Sequence, residues 1–289
     1  MDVWQFIRES ASTVALLYVT ESKGSSPGRT GFAMAVRRSG ELHGSIGGGI
    51  MEQQLVERAR RQLATNDIRP ELIRQVHRPG SGEDFSGLIC SGEQSVALVF
   101  VDPEKLTVEF GPNGYYTLSS SGFNYHSKLP GGPYWAVIPL AEKNTAYLIG
   151  AGHVGLALSR TLSQLDFNIE IFDDRAELNT LAQNTFVSKK HIGNLDDSLR
   201  SIPEGDNSYI VAVTFGIDVD RIVLSRLRHK TFRYFGLMGS ASKIRILRNE
   251  FGPLDAITAP IGINIKSHTP EEIAVSIAAQ MIQVKNQSL

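Results

Sequence analysis

Cysteine is nearly absent: Cys90 is the only one in 289 residues, which rules out an internal disulfide and fits a reducing compartment. No uncharged apolar stretch approaches the roughly 18 residues that a membrane span needs. The start, Met1-Asp2-Val3-Trp4-Gln5, has no basic segment leading into an apolar run, so no signal peptide is expected. An excess of either charge is missing too. The 29 Lys and Arg stand against 30 Asp and Glu, a formal net charge of −1, which favours neither nucleic acid nor an anionic membrane surface as a partner. A soluble cytoplasmic protein is expected. There is also no Ser-His-Asp signature, no H-E-x-x-H, no Walker loop and no metal-ligand spacing among the seven histidines. Catalytic groups can still assemble from distant positions, so this absence weighs little.

Glycine, by contrast, is grouped. In Gly44-Ser45-Ile46-Gly47-Gly48-Gly49-Ile50-Met51-Glu52, three consecutive glycines run straight into a helical pattern, with Ile50, Leu55, Val56, Ala59 and Leu63 apolar among charged residues. Glycine stabilises neither helix nor strand. A triple glycine suits a backbone at positive φ, or one that another molecule must approach more closely than a Cβ allows. The N–H groups of the following helix's first turn would suit a phosphate or another anion. The alternative is a tight strand-to-helix turn in which glycine serves packing alone.

The chain divides by pattern. Strands are expected at 13–20, 32–36 and 95–101 around the glycine loop and its helix, giving an α+β domain over residues 1–110. Turn signals crowd residues 111–144, read as hairpins or a linker with short strands at 115–118 and 134–138. From 145 to 289, apolar runs at 146–149, 169–172, 209–213 and 233–237 alternate with helical stretches at 154–165, 219–227, 240–249 and 270–284. That alternation predicts an α/β fold, a Rossmann-like parallel sheet flanked by helices. Thr269, Pro270 and Glu272 form the capping-box start of the last helix.

Gly150-Ala151-Gly152-His153-Val154-Gly155 matches G-x-G-x-x-G between a strand and a helix, with Asp173 closing the next strand about 20 residues on. Gly150 would permit the turn, Gly152 would admit a pyrophosphate, and Gly155 would let helix and strand pack. Asp173 would accept from a ribose diol, favouring NAD over NADP, although Arg175 lies close enough to blur the preference. The fold can also be kept with its nucleotide pocket empty or reused. His153 is either a ligand contact or a surface residue. A further turn, Gly236-Leu237-Met238-Gly239-Ser240, joins strand to helix, with Ser240 as a candidate cap and its amides facing the same crevice.

Together these residues resemble the XdhC/CoxI family, accessory proteins of xanthine dehydrogenase and related molybdenum hydroxylases. The resemblance covers most of the chain. It rests on Gly24-Ser25-Ser26-Pro27, the 44–49 loop with Glu52, Cys90-Ser91-Gly92, Gly150–Gly155, Asp173-Asp174-Arg175, 236–240, Ala259-Pro260-Ile261-Gly262 and 269–274. It implies a non-catalytic maturation chaperone. Such a protein binds the molybdenum cofactor, as molybdopterin or its dinucleotide form, and protects it while a cysteine desulfurase installs the terminal sulfur. It then hands the cofactor to a xanthine dehydrogenase-type apo-molybdoenzyme. Many relatives carry Cys-Gly-Gly where this chain has Cys90-Ser91-Gly92, and basic residues after the later Gly-Ser where only Lys243 and Arg245 stand here.

Under that resemblance the cofactor-binding candidates are Ser25, Arg29, Gly47, Gly48, Gly49, Glu52, Cys90, Gly150, Gly152, His153, Gly155, Asp173, Gly239 and Ser240, set in a cleft where the two domains meet. Cys90 is either a small buried hydrophobe or a thiol close to the molybdenum. Glu52 either stabilises a helix dipole or contacts the ligand, and Arg29 either pairs with phosphate or is solvated. A homodimer is expected from the need to shield a labile ligand. The reading from another class is an NAD-dependent oxidoreductase whose N-terminal half supplies the substrate site.

Overall fold

Alternation of apolar side chains along each strand sets which face of a sheet is buried, and in this chain both five-stranded sheets are buried on two faces. The computed structural model describes residues 2–77, 92–106, 114–140 and 143–287. Two units divide the chain, Met1–Ala141 and Glu142–Leu289.

The first unit contains α1 (Val3–Arg8), β1 (Val14–Gly24), β2 (Ala33–Val36), β3 (Leu42–Gly44), α2 (Gly49–Thr65), β4 (Glu71–His77), β5 (Gly92–Val101), β6 (Tyr115–Ser119), β7 (Gly122–His126) and β8 (Ala136–Pro139). Its five-stranded sheet is antiparallel, in the order β3-β2-β1-β5-β4. From β1, Ala15, Leu17 and Val19 face α2 and meet its Leu55, Val56, Ala59 and Leu63. Val14 and Leu16 face the other way, onto Phe6 and Ile7 of α1 and onto Tyr116, Leu118 and Phe123 of the three-stranded sheet β7-β6-β8. Burying each such aliphatic or aromatic side chain contributes about 1.5–3 kcal/mol before entropy is counted. Residues 115–139 therefore take part in a core.

The second unit runs β9 (Thr145–Ile149), α3 (His153–Leu162), β10 (Asn168–Asp173), α4 (Asn179–Gln183), β11 (Lys189–Ile192), α5 (Leu195–Ser198), β12 (Gly205–Ala212), α6 (Ile217–Leu227), β13 (Phe232–Leu237), α7 (Ala241–Phe251) and α8 (Pro270–Asn286). All five strands are parallel, in the order β11-β10-β9-β12-β13, with α3 and α8 packed on one face and α5, α6 and α7 on the other. This is the α/β Rossmann arrangement that the alternation predicts. Chain order reverses beside β9, so a crevice opens at the carboxyl ends of β9, β10 and β12, where open α/β sheets hold ligands. The capping box stands as expected: Thr269 caps α8 and Glu272 reaches back to it, with Pro270 at the first position.

Sequence pattern alone misses α1, β3, β4, β7, α4, β11 and α5. The first two are six and three residues long, too short to develop a period. Edge strand β11 reads Lys189-Lys190-His191-Ile192 and lies half in water, so it lacks the apolar run of its neighbours.

Candidate functional site

Two glycine turns, one in each unit, lead into helices, and their local chemistry differs. In the first unit Gly47, Gly48 and Gly49 all have positive φ, at 128°, 75° and 75°, which accounts for glycine at each position. A Cβ on Gly47 would press on Gly28 N at 2.6 Å, whereas one on Gly48 would meet nothing within 4 Å. Glu52, in the first turn of α2, ties the loop together. Its Oε2 accepts from Ser45 Oγ at 2.7 Å, from the Ile46 N–H at 2.8 Å and from the Gly48 N–H at 3.0 Å. Burial pushes the Glu52 carboxyl up, but the hydrogen bonds from Ser45, Ile46 and Gly48 outweigh it and hold the group below its ordinary range. Two of the loop amides that an anion would seek are thus already held by the protein's own carboxylate. The first turn of α2 nonetheless has no side-chain cap.

Ser25 and Arg29 are exposed on the neighbouring loop, where, among the described residues, Arg29 Nη1 donates a long bond, 3.5 Å, to Gly24 O. Gln94 of β5, which the sequence gives no reason to single out, joins that loop to the glycine turn. It is 1 % exposed. Its Oε1 accepts from Ser26 Oγ at 2.6 Å and from the Gly28 N–H at 3.1 Å, while Nε2 donates to Ile46 O at 3.3 Å and to Met51 Sδ at 2.9 Å. A buried amide satisfied on both ends is costly to disturb. Cys90 lies outside the described residues.

In the second unit Gly150 has φ 114°, and a Cβ on Gly155 would collide with Gly150 O, so both glycines serve the tight helix-strand packing expected of them. Gly152 differs. Its φ of −71° suits any residue, a Cβ there would meet nothing within 4 Å, and α3 has no side-chain cap. Neither conformation nor packing requires glycine at this position; open space lies in front of its backbone. His153, the first residue of α3, is exposed.

Asp173 does not stand open to a ribose. It is 2 % exposed. Its Oδ2 accepts from the Ala151 N–H at 2.7 Å and from Arg175 Nη2 at 2.9 Å, and its Oδ1 from the Arg175 N–H at 3.0 Å and from Arg175 Nε at 2.9 Å. A carboxylate has about four acceptor positions, and all are filled from within the chain. Burial pushes Asp173 up, yet the Arg175 and Ala151 donors prevail and hold it below the usual carboxylate range. Asp173 thus braces the glycine turn, with Thr180 Oγ1 donating to Ala151 O at 2.6 Å from the other side. A cavity of about 200 Å³ adjoins it, walled by Phe172, Leu195, Phe215 and Val219 and rimmed by Asp174 and Arg175.

Gly239 and Ser240 border a second cavity of about 410 Å³, with Lys243, Ser267 and Ser276 among its walls. Ser240 caps α7, its Oγ accepting from the Lys243 N–H at 3.3 Å. Lys243 turns inward, its Nζ 2.6 Å from Oδ2 of the wholly buried Asp220, whose other oxygen accepts from Thr214 Oγ1. Arg245 is exposed. Among the described residues no cluster of three or more His, Cys, Asp or Glu could hold a metal ion, and no helix is long and apolar enough to cross a membrane.

Comparison with known proteins gives matches to two family models. The one described as the XdhC and CoxI family covers residues 7–74, and the one described as the XdhC Rossmann domain covers residues 146–281. The uncharacterized protein YqeB of Escherichia coli strain K12 is 26 % identical over 97 % of this chain, which spans only 45 % of that relative's length. A relative from Bacillus subtilis strain 168, described as a probable subunit of xanthine dehydrogenase, is 23 % identical over 96 % of this chain and 94 % of its own length. A crystal structure of a xanthine dehydrogenase from Bacillus halodurans shares the fold with a TM-score of 0.81, at 21 % identity, covering 99 % of this chain and 96 % of that one.

Proposed function

This chain belongs to the XdhC and CoxI family, and from that premise we propose that it binds the molybdenum cofactor, shields it during sulfuration by a cysteine desulfurase, and delivers it to a xanthine dehydrogenase-type apo-enzyme. The names of the Bacillus subtilis relative and the Bacillus halodurans neighbour support the link to xanthine dehydrogenase. The observation that carries the binding reading is the start of α2. Gly48 faces open space, the helix has no side-chain cap, and Ser25 and Arg29 stand exposed on the loop that Gln94 joins to it.

Molybdopterin ends in a phosphate, and that group fits this surface: uncapped N–H groups of a first turn and an exposed guanidinium are suited to it. Glu52 acts inside the loop, holding Ile46 and Gly48 so that the backbone keeps its shape. Cys90 is assigned to the metal end through its thiol. When bound, the cofactor carries the molybdenum and sulfur chemistry that the client enzyme uses; this chain's residues bind, orient and shelter it. Shielding a labile ligand favours a homodimer, which light scattering tests, and a monomer at every concentration would remove that part of the reading.

The experiment is equilibrium binding of molybdopterin to the purified protein, followed by transfer to the apo-enzyme. Arg29→Ala should weaken pterin binding about tenfold without changing the melting temperature, because the side chain is exposed and its loss removes a charged phosphate partner. Absence of pterin binding by the wild-type protein would overturn the proposal.

A further inference from the structure

The Rossmann crevice of the second unit has a built site that the cofactor reading does not use. Gly152 presents bare backbone to open space at the start of the ten-residue α3. Gly150 of the same turn borders the cavity of about 200 Å³ whose apolar walls, Phe172, Leu195, Phe215 and Val219, suit the faces of a base. Phe215 is 86 % exposed at its mouth, an aromatic ring left where a stacking partner would cover it. The remaining question is what the rim recognises.

Were Asp173 open, a ribose diol would be its partner and a phosphate there would be repelled. It is not open, because the Ala151 N–H, the Arg175 N–H, Nε and Nη2 occupy its oxygens. The group that faces the rim instead is the Arg175 guanidinium, with 46 % of its side chain exposed. Asp173 neutralises part of its charge but also locks its plane, and the guanidinium's outer donors remain in the fork geometry that fits a phosphate. Asp174 opposes this: its Oδ1 is 3.9 Å from Arg175 Nε and its side chain is 55 % exposed.

We propose that this crevice takes a dinucleotide whose ribose carries a second phosphate, of the NADP type, and that Arg175 selects it. Gly152 lets the pyrophosphate reach the first turn of α3, the apolar walls hold the base, and Arg175 meets the sugar phosphate. Asp173 is a positioning residue that fixes both Arg175 and the Ala151 amide.

Titration calorimetry of NADP⁺ and NAD⁺ into the ligand-free whole protein tests this. NADP⁺ should bind about tenfold more tightly, and the difference should shrink as salt is raised. Arg175→Ala should erase the difference, Arg175→Lys should keep part of it, and Asp174→Asn should widen it. Gly152→Ala should weaken both ligands while leaving the melting temperature unchanged. Equal or tighter binding of NAD⁺, or binding of neither, would overturn the proposal. If Arg175→Ala fails to fold, the exposed Asp174 variant carries the test: an unchanged NADP⁺ preference there contradicts the role of the rim. Pterin plays no part in these titrations, so the cofactor reading and this one fail separately.

Discussion

The turns at the starts of α2 and α3 look alike in sequence, each a strand-to-helix connection rich in glycine, yet the first is braced by a carboxylate and the second by backbone packing. At α2 every glycine from 47 to 49 is at positive φ and Glu52 takes up two of the loop amides. The loop's geometry is therefore satisfied within the chain. At α3 Gly150 and Gly155 are consumed by packing, while Gly152 has ordinary dihedrals and no neighbour. The difference teaches that a count of glycines does not locate a ligand; what matters is where a first turn stays without a side-chain cap and faces open space, as at Gly48 and at Gly152.

Substitutions can break this comparison in graded steps. The largest effect belongs to Gly155→Ala, whose added methyl strikes the Gly150 carbonyl; it should cost about 3 kcal/mol in denaturant unfolding. Gln94→Leu follows, at about 2 kcal/mol, because Ser26 and the Gly28 N–H lose a buried acceptor. It should also loosen the first turn without touching the second, visible as faster amide exchange at Gly28 and Gly48 alone. Removing the carboxylate in Glu52→Ala should cost about 1 kcal/mol.

In pH dependence the two turns behave alike. Asp173 and Glu52 are both held below the usual carboxylate range in the folded chain. A group with a lowered folded pKa contributes stability above its unfolded value and loses it as the pH falls through the folded one. Stability should therefore decline from about pH 5 downward, the decline being shallower in Asp173→Asn and in Glu52→Gln. The smallest effect on stability should be that of Gly152→Ala, within about 0.5 kcal/mol, although it fills the space before α3.

Much of the architecture is legible in the sequence, for physical reasons that can be traced. Strands β9, β10, β12 and β13 are buried on both faces and read as apolar runs, and the α8 start is written in Thr269, Pro270 and Glu272. The candidate site is less legible. That Gly152 is free of neighbours while Gly155 is not depends on where the Gly150 carbonyl lies. Asp173 matches the ribose-binding position of the dinucleotide fingerprint, but a residue two places on, Arg175, fills its acceptors, which spacing alone does not reveal. Lys243 follows the later Gly-Ser, where relatives carry basic residues, and in the fold its ammonium pairs with Asp220, 23 residues earlier and fully buried, a partner that spacing does not reveal. Gln94 is one polar residue in a strand; its role depends on Ser26 and Gly28 from one loop and Ile46 from another, which only the β1–β5 pairing brings within reach.

The pterin content of the protein isolated from cells that make the molybdenum cofactor, read as fluorescence of the oxidised pterin per chain, tests the proposed role most directly. Near-stoichiometric pterin in the wild-type protein, reduced in Arg29→Ala and unchanged in Arg175→Ala, is the predicted result. Wild-type protein free of pterin would contradict it.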